Sequence, residues 1–148
     1  MHRVNDEVFG ELVFRGTWKS NIIIPIFGKE FPVILIVEDN DDDTLEIRKE
    51  QKDSFLFYLN NKVSILDKVE NFTINFTKEY LIEYGNSSKS NEFIVDSIRP
   101  TALVFPMVLD DNDINFGFLF ETKFDPEGGI GVQYLNGEYE VSTQDILT

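Results

Sequence analysis

Carboxylate side chains are the residues of this chain with the clearest chemical potential, and they are concentrated in two short runs. Eight of the 27 Asp and Glu lie in these runs, which contain no basic residue, and without them the formal net charge of −14 would be −6. Like charges repel and are poor interior material, so we expect both runs on the surface. The first run comprises Glu38, Asp39, Asp41, Asp42 and Asp43, and the second comprises Asp110, Asp111 and Asp113.

The spacing of the first run is similar to that of a calcium-binding loop. With Asp39 at position 1, Asp41, Asp43 and Glu50 fall at positions 3, 5 and 12, which are oxygen-donor positions of a 12-residue EF-hand loop. Position 6, which needs glycine for a sharp turn, is Thr44, and a strand precedes the loop where a helix is required. We therefore favour a solvated acidic turn that starts a helix, predict no metal or cofactor, and keep calcium binding as an alternative.

Other catalytic chemistry finds little support in the residue types. The absence of cysteine excludes a thiolate nucleophile. The one histidine, His2, lies beside the N-terminus, which disfavours a Ser-His-Asp triad and a multi-histidine metal site. The glycine-rich segment 124–131 lacks the lysine and the following helix of a phosphate-binding loop, which favours a tight turn. We predict no catalytic residue and no enzyme, with an enzyme of unknown type, built on a hidden carboxylate site, as an alternative.

The elements that must position these acids follow the order strands, helices, strands. That order predicts an α+β fold, with an antiparallel β-meander sheet and two consecutive helices packed on one face. An apolar period of three to four residues predicts helices near 44–60 and 62–83, the first beginning with Asp43 and Glu46 in a capping-box-like pattern. Alternating and β-branched segments predict strands at 10–14, 18–24, 32–37, 93–95, 102–105, 116–120, 130–134 and 138–141.

Length and composition predict one domain over residues 1–148. Hydrophobic residues make up 42% of the chain and aromatic residues 14%, which is typical of a packed globular domain. No apolar run approaches the ~18 residues that span a bilayer, and the N-terminus has no apolar segment of a signal peptide. Together with the absence of cysteine, this predicts a cytoplasmic protein.

Two parts of the chain resemble an uncharacterised bacterial family of small, acidic, cytoplasmic domains. Members of that family carry a D-P-E-x-G-x-G turn and a terminal Q-D, followed here by Ile146. The segments that carry the resemblance are 9–12, Trp18 and 24–31 in the N-terminal half, and 124–132, 136–137 and 144–146 at the C-terminal end. Such domains are similar to the immunity partners found beside contact-dependent or polymorphic toxins. The resemblance implies a protein that binds a toxin and blocks it, and it brings no active-site residues.

Charge and resemblance together predict a non-catalytic protein-binding domain, an immunity protein that neutralises a basic toxin by occlusion. A strongly acidic surface speeds the encounter with a basic protein and disfavours nucleic acid and anionic membrane as partners. A scaffold or oligomerisation domain is a further alternative, and the sequence leaves the partner and the oligomeric state open. The predicted partner-binding residues are Asp39, Asp41, Asp42, Asp43, Asp110, Asp111 and Asp113.

Overall fold

The computed structural model describes residues 2–40, 45–85 and 89–147. In these ranges the chain forms eight strands, three α-helices and a short C-terminal 3-10 helix. The strands are β1 His2–Asp6, β2 Gly10–Phe14, β3 Trp18–Ile26, β4 Lys29–Val37, β5 Ile98–Phe105, β6 Asn115–Thr122, β7 Ile130–Leu135 and β8 Glu138–Ser142. The helices are α1 Lys49–Asn60, α2 Lys62–Glu83, α3 Asn91–Val95 and the 3-10 helix Gln144–Leu147.

One sheet contains all eight strands in chain order, from β1 at one edge to β8 at the other. Neighbouring strands are antiparallel except β4 and β5, which run parallel with Val37 opposite Phe105. Parallel neighbours need a crossover connection, and α1, α2 and α3 provide it. The α+β class and a mostly antiparallel sheet are thus confirmed, whereas a purely antiparallel meander is wrong at the centre of the sheet.

The helical region differs from the sequence prediction at both ends. α1 begins at Lys49 rather than near 44, and the described residues 45–48 before it are not helical. α2 has the predicted bounds, 62–83. The segment Phe93–Val95, predicted as a strand, belongs to α3, because the Ser90 side chain caps that helix by accepting a hydrogen bond from Phe93 N at 3.2 Å.

Three prolines lie inside strands, at or beyond the strand ends that the sequence predicted, and Pro100 of β5 is followed by a register shift before Ala102. β2 pairs with β3 only at Trp18 and Lys19, so Pro25 lies on a part of β3 whose outer side has no neighbouring strand. Pro32 on β4 lies before the residues that pair with β5, which begin at Ile34. A residue without an N–H is tolerated at positions 25 and 32 because no hydrogen bond of the sheet is required of it there.

Side chains of β3 and β4 alternate between two faces of the sheet. The buried face carries Trp18, Ile24, Leu35 and Val37, each at most 5% exposed. Aromatic side chains of the helices contact this same side of the later strands, as in the pairs Tyr58–Phe116, Tyr58–Phe118 and Phe72–Tyr139. The opposite side, which we call the open face, carries Lys19, Asn21, Ile23 and Pro25 of β3 and Glu30, Pro32, Ile34 and Ile36 of β4. Within the described ranges, no helix combines the length and the apolar character needed to cross a membrane.

The C-terminal 3-10 helix covers the open face over β6 and β7. A Cβ atom on Gly117 would clash with the side chain of Leu147, and one on Gly131 would lie 2.5 Å from Ile146 Cγ2. The glycine-rich turn before β7 contacts the 3-10 helix as well, because Gln144 N donates to Gly128 O at 2.9 Å. The 3-10 helix therefore packs against the glycine-rich segment, which agrees with the interpretation of that segment as a structural turn.

Candidate functional site

The described residues of the two acidic runs lie at the same end of the sheet. β4 and β5 are adjacent and parallel, so the segments that follow them leave the sheet side by side, and Glu38 N donates to Phe105 O at 2.9 Å. We call the described residues 38–40, 45–50 and 106–114 the acidic pole. They contain seven acidic residues and two basic ones, a net charge of −5 out of the −14 of the whole chain.

Gln51 in the first turn of α1 joins the two segments of the pole. This side chain is only 2% exposed. Its Nε2 donates to Glu38 O at 2.9 Å and to Pro106 O at 3.1 Å, which are the residues that directly follow β4 and β5. Its Oε1 accepts from Arg48 N at 3.0 Å at the start of the helix. One buried amide therefore fixes the exits of both strands relative to α1.

Asn40 makes a second connection between the segments. Its Nδ2 donates to Gln51 Oε1 at 2.9 Å, and its Oδ1 accepts from Val108 N at 2.9 Å. The carboxylate of Glu38 also faces the other segment, because it accepts a hydrogen bond from Met107 N. Burial raises the pKa of Glu38, and the bond from Met107 opposes that shift without cancelling it.

Two side chains of α1 accept hydrogen bonds from backbone N–H groups in and just after the second acidic run. Glu50 Oε2 accepts from Asn112 N at 3.0 Å, and this hydrogen bond is the largest cause that lowers the pKa of Glu50. Ser54 Oγ accepts from Asn115 N at 3.0 Å, where the segment enters β6. Asn112 itself has a left-handed backbone with φ of 65°, a conformation that asparagine tolerates better than most residues.

The turn between β7 and β8 supports the same run from the side. Asn136 Oδ1 accepts from Ile114 N at 2.8 Å, and Asn136 Nδ2 donates to Asp113 Oδ1 at 2.9 Å. Asn136 and Gly137 both have positive φ, as the predicted Asn-Gly hairpin turn requires. The strongest hairpin signal of the sequence therefore also positions an acidic residue of the pole.

The four predicted partner-binding residues that the structure describes all lie in the acidic pole. Asp110 and Asp111 are exposed, and Asp39 and Asp113 are partly buried. Asp41, Asp42 and Asp43 lie outside the described residues, so the structure describes only Asp39 and Glu50 of the calcium-like spacing. In the described ranges, no group of three or more His, Cys, Asp or Glu could hold a metal ion.

Sequence reasoning missed the convergence of the two runs and the polar residues that hold it. Gln51 and Asn40 carry no signal in composition or spacing that would mark them. A signal did exist for the convergence, because each run directly follows an apolar strand and helices separate the two strands. A strand-helix-strand order favours parallel neighbours, whose carboxyl ends meet at one edge of a sheet.

The shape of the pole suits contact with a surface better than binding of a small molecule. The cleft between α1 and residues 106–115 has a volume of about 10 Å³, which is room for about one water molecule. Larger depressions, of about 410 and 650 Å³, lie at the opposite end of the sheet, around the β3–β4 turn at Phe27 and Gly28. Both are shallow and open to solvent.

Residues 8–148 match the family model described as Domain of unknown function (DUF6985). The chain belongs to this family. The match includes both segments of the acidic pole and the C-terminal 3-10 helix, so the features described above fall within the family domain. Comparisons with curated proteins and with solved structures give no match.

Proposed function

We propose that this DUF6985 domain is a non-catalytic, cytoplasmic protein-binding domain that captures a basic partner through its acidic pole. More specifically, we propose an immunity protein that neutralises a basic toxin by occluding the toxin's substrate-binding surface. The observation that carries this proposal is the convergence of the described residues of both acidic runs at one end of the sheet. The toxin as partner rests on the sequence resemblance to immunity proteins.

The concentration of charge favours a protein partner of opposite sign. The pole holds a net charge of −5 in 18 of the 148 residues. Complementary fields of this kind steer diffusional encounter and can raise association rates by ~10- to 10³-fold. A basic toxin that acts on nucleic acid has a cationic substrate surface, and an acidic protein that covers it excludes the anionic substrate.

The hydrogen bonds within the pole support the same proposal. Binding costs less conformational entropy when the interface is held in place before the partner arrives. Side chains on α1 and on the β7–β8 turn hold residues 112–115 from two directions, through Glu50, Ser54 and Asn136. The exposed carboxylates of Asp110 and Asp111 thus project from a segment that is fixed on its C-terminal side.

A pull-down at low salt tests the proposal with matched charge variants. Asp110→Asn with Asp111→Asn removes two exposed charges from the pole, and Asp67→Asn with Asp96→Asn removes two exposed charges elsewhere. We expect wild type and the control to retain a basic protein from the native host, and the pole variant to retain several-fold less. With the purified partner, association of the pole variant should be slower and less dependent on salt.

Equal retention and equal association rates for the pole variant and the control would remove the pole as the interface. Inhibition of growth by the retained protein, and relief of that inhibition by the wild-type domain in the same cells, tests the toxin part separately. A retained basic protein that is not toxic would leave a binding domain and refute an immunity protein.

A further inference from the structure

The open face of β3 and β4 is apolar at its centre and uncovered by the described chain. Ile23 is 51% exposed and Ile34 is 46% exposed, and the register places Ile23 opposite Pro32 and Asn21 opposite Ile34. The C-terminal 3-10 helix covers the open face only farther along, over Gly117 and Gly131. Exposed isoleucines on neighbouring strands of an uncovered sheet face are a typical feature of a surface that packs against another protein.

On the open-face side of the sheet, β8 carries Glu138 and Glu140, which lie beyond β7. Along β1–β6 the open face is electrically balanced, unlike the chain as a whole, with three basic and three acidic residues. Four of them form two ion pairs on the face itself, Arg3–Glu11 and Arg99–Glu121. The remaining two, Lys19 and Glu30, have no ion pair among the residues that the structure describes. For a chain with a net charge of −14, this face is a surface on which two copies can approach without strong repulsion.

Lys19 and Glu30 are placed symmetrically about the exposed isoleucines. Lys19 is opposite Ile36 and Glu30 is opposite Pro25, so the two charges lie six residues apart along the strands, roughly 20 Å. The midpoint between them is the level of Ile22 and Val33. A two-fold axis through that midpoint, in the plane between two stacked sheets and perpendicular to the strands, brings Lys19 of each copy near Glu30 of the other.

We propose that two copies of this chain form a symmetric dimer by packing the open faces of β3 and β4 against each other. The isoleucines form the centre of the interface, because the same axis places Ile23 of one copy beside Ile34 of the other. The Lys19–Glu30 contacts, present twice by symmetry, set the orientation. An axis parallel to the strands would instead place Lys19 against Lys19, which like-charge repulsion disfavours.

The size of the face predicts a weak dimer. β3 and β4 are nine residues long, and strands that rise ~3.3 Å per residue and lie ~4.8 Å apart give these two strands a footprint of about 300 Å². β2 pairs with β3 only at Trp18 and Lys19, and Ala102 and Val104 of β5 are already buried, so the neighbouring strands add little. The two copies together would bury about 600–800 Å², below the ~1,200 Å² of standard specific interfaces. We therefore expect a dissociation constant on the order of 100 µM. Both acidic poles lie at strand ends, so they stay exposed in the dimer.

Sedimentation velocity over a concentration series of about 1 µM to 1 mM tests the dimer and its orientation. We expect wild type to dimerise with rising concentration, and Lys19→Glu or Glu30→Lys alone to weaken dimerisation about tenfold, since each change turns two attractive contacts into repulsive ones. The double variant Lys19→Glu, Glu30→Lys has the wild-type net charge, and it should recover the wild-type dissociation constant. Ile34→Asn should leave a monomer.

Control variants separate this effect from net charge and from misfolding. Lys68→Glu and Glu79→Lys make the same charge changes on exposed positions of α2 and should dimerise as wild type does. Circular dichroism and thermal unfolding confirm that each variant is folded. A wild-type chain that stays monomeric throughout the series would overturn the proposal, and so would a double variant no better than either single one. Neither result bears on the acidic pole, whose variants leave Lys19 and Glu30 unchanged.

Discussion

Gln51 illustrates how a single side chain can determine the geometry of a charged surface. Its neutral amide can donate to carbonyl groups and accept from N–H groups at the same time through two separate atoms. At this position the donors reach the exits of β4 and β5, and the acceptor reaches Asn40 and the start of α1. The carboxylates around Gln51 repel one another, and a buried charged side chain at this position would add a desolvation cost. The neutral amide connects the two strand exits without that cost in free energy.

Gln51→Ala should therefore lower the free energy of unfolding by about 2–4 kcal/mol, because it leaves several buried carbonyl and N–H groups without a partner. Gln133→Ala is the matched control, since Gln133 is partly buried and donates one hydrogen bond, to Asn115 Oδ1 at 2.9 Å. We expect the control to cost about 0.5–1.5 kcal/mol. Urea-induced unfolding measures both. Equal costs would show that Gln51 does not hold the pole together.

At the scale of elements, the C-terminal 3-10 helix accounts for two separate sequence patterns. The glycine-rich turn and the closing Gln144-Asp145 lie against each other, since Gln144 N donates to Gly128 O and a Cβ on Gly129 would clash with the Gln144 side chain. Gly129 also has a φ of 61°, which glycine adopts readily. The two patterns are therefore two sides of one contact between distant parts of the chain.

This docking predicts an energetic coupling between Gly117 and Leu147. Gly117→Ala should destabilise the domain by about 1–3 kcal/mol, because the added Cβ meets the Leu147 side chain in a packed site. In a Leu147→Ala background the same substitution should cost at least about 1 kcal/mol less, although contact with Val132 O at 2.9 Å keeps some of the cost. Thermal unfolding of the four variants in the cycle gives the coupling. Additive effects would mean that the 3-10 helix does not pack on Gly117.

The sequence predicted elements well where a local pattern decides them. The bounds of α2 follow from its long apolar period, and the β7–β8 hairpin follows from Asn136-Gly137. The sequence prediction failed where a tertiary contact or a helix cap outside the local pattern decides the structure. Phe93–Val95 has β-branched and aromatic residues but is helical because Ser90 caps it. The parallel pairing of β4 with β5 is a tertiary choice, so the joining of the acidic runs and the roles of Gln51 and Asn40 could not be read from spacing alone.

On the scale of the whole molecule, the two proposed interfaces lie on different parts of the surface. The acidic pole lies at the carboxyl ends of β4 and β5, whereas the open face with Ile23 and Ile34 lies along the strands. The two proposed interfaces therefore do not overlap. In the proposed dimer, the axis perpendicular to the strands would place the two poles at opposite ends, so each could bind a partner independently.

Concentrating a net charge of −5 at one end of a small domain has a cost in self-repulsion, and this cost is measurable. At about 10 mM salt, where the Debye length is ~30 Å, Asp110→Asn with Asp111→Asn should raise the free energy of unfolding by about 0.5–1 kcal/mol. At about 1 M salt, with a Debye length of ~3 Å, the gain should vanish. The control Asp67→Asn with Asp96→Asn removes the same charge from exposed positions outside the pole and should gain less.

Urea-induced unfolding at the two salt concentrations measures these differences. A variant that is more stable and yet binds its basic partner less well would show that Asp110 and Asp111 are kept for binding at the expense of stability, as is common at functional sites. A loss of stability at low salt would mean instead that the two carboxylates hold the 106–114 segment in place. In that case the contribution of these two carboxylates to folding, and not the attraction of a partner, would explain why acidic residues are concentrated at this pole.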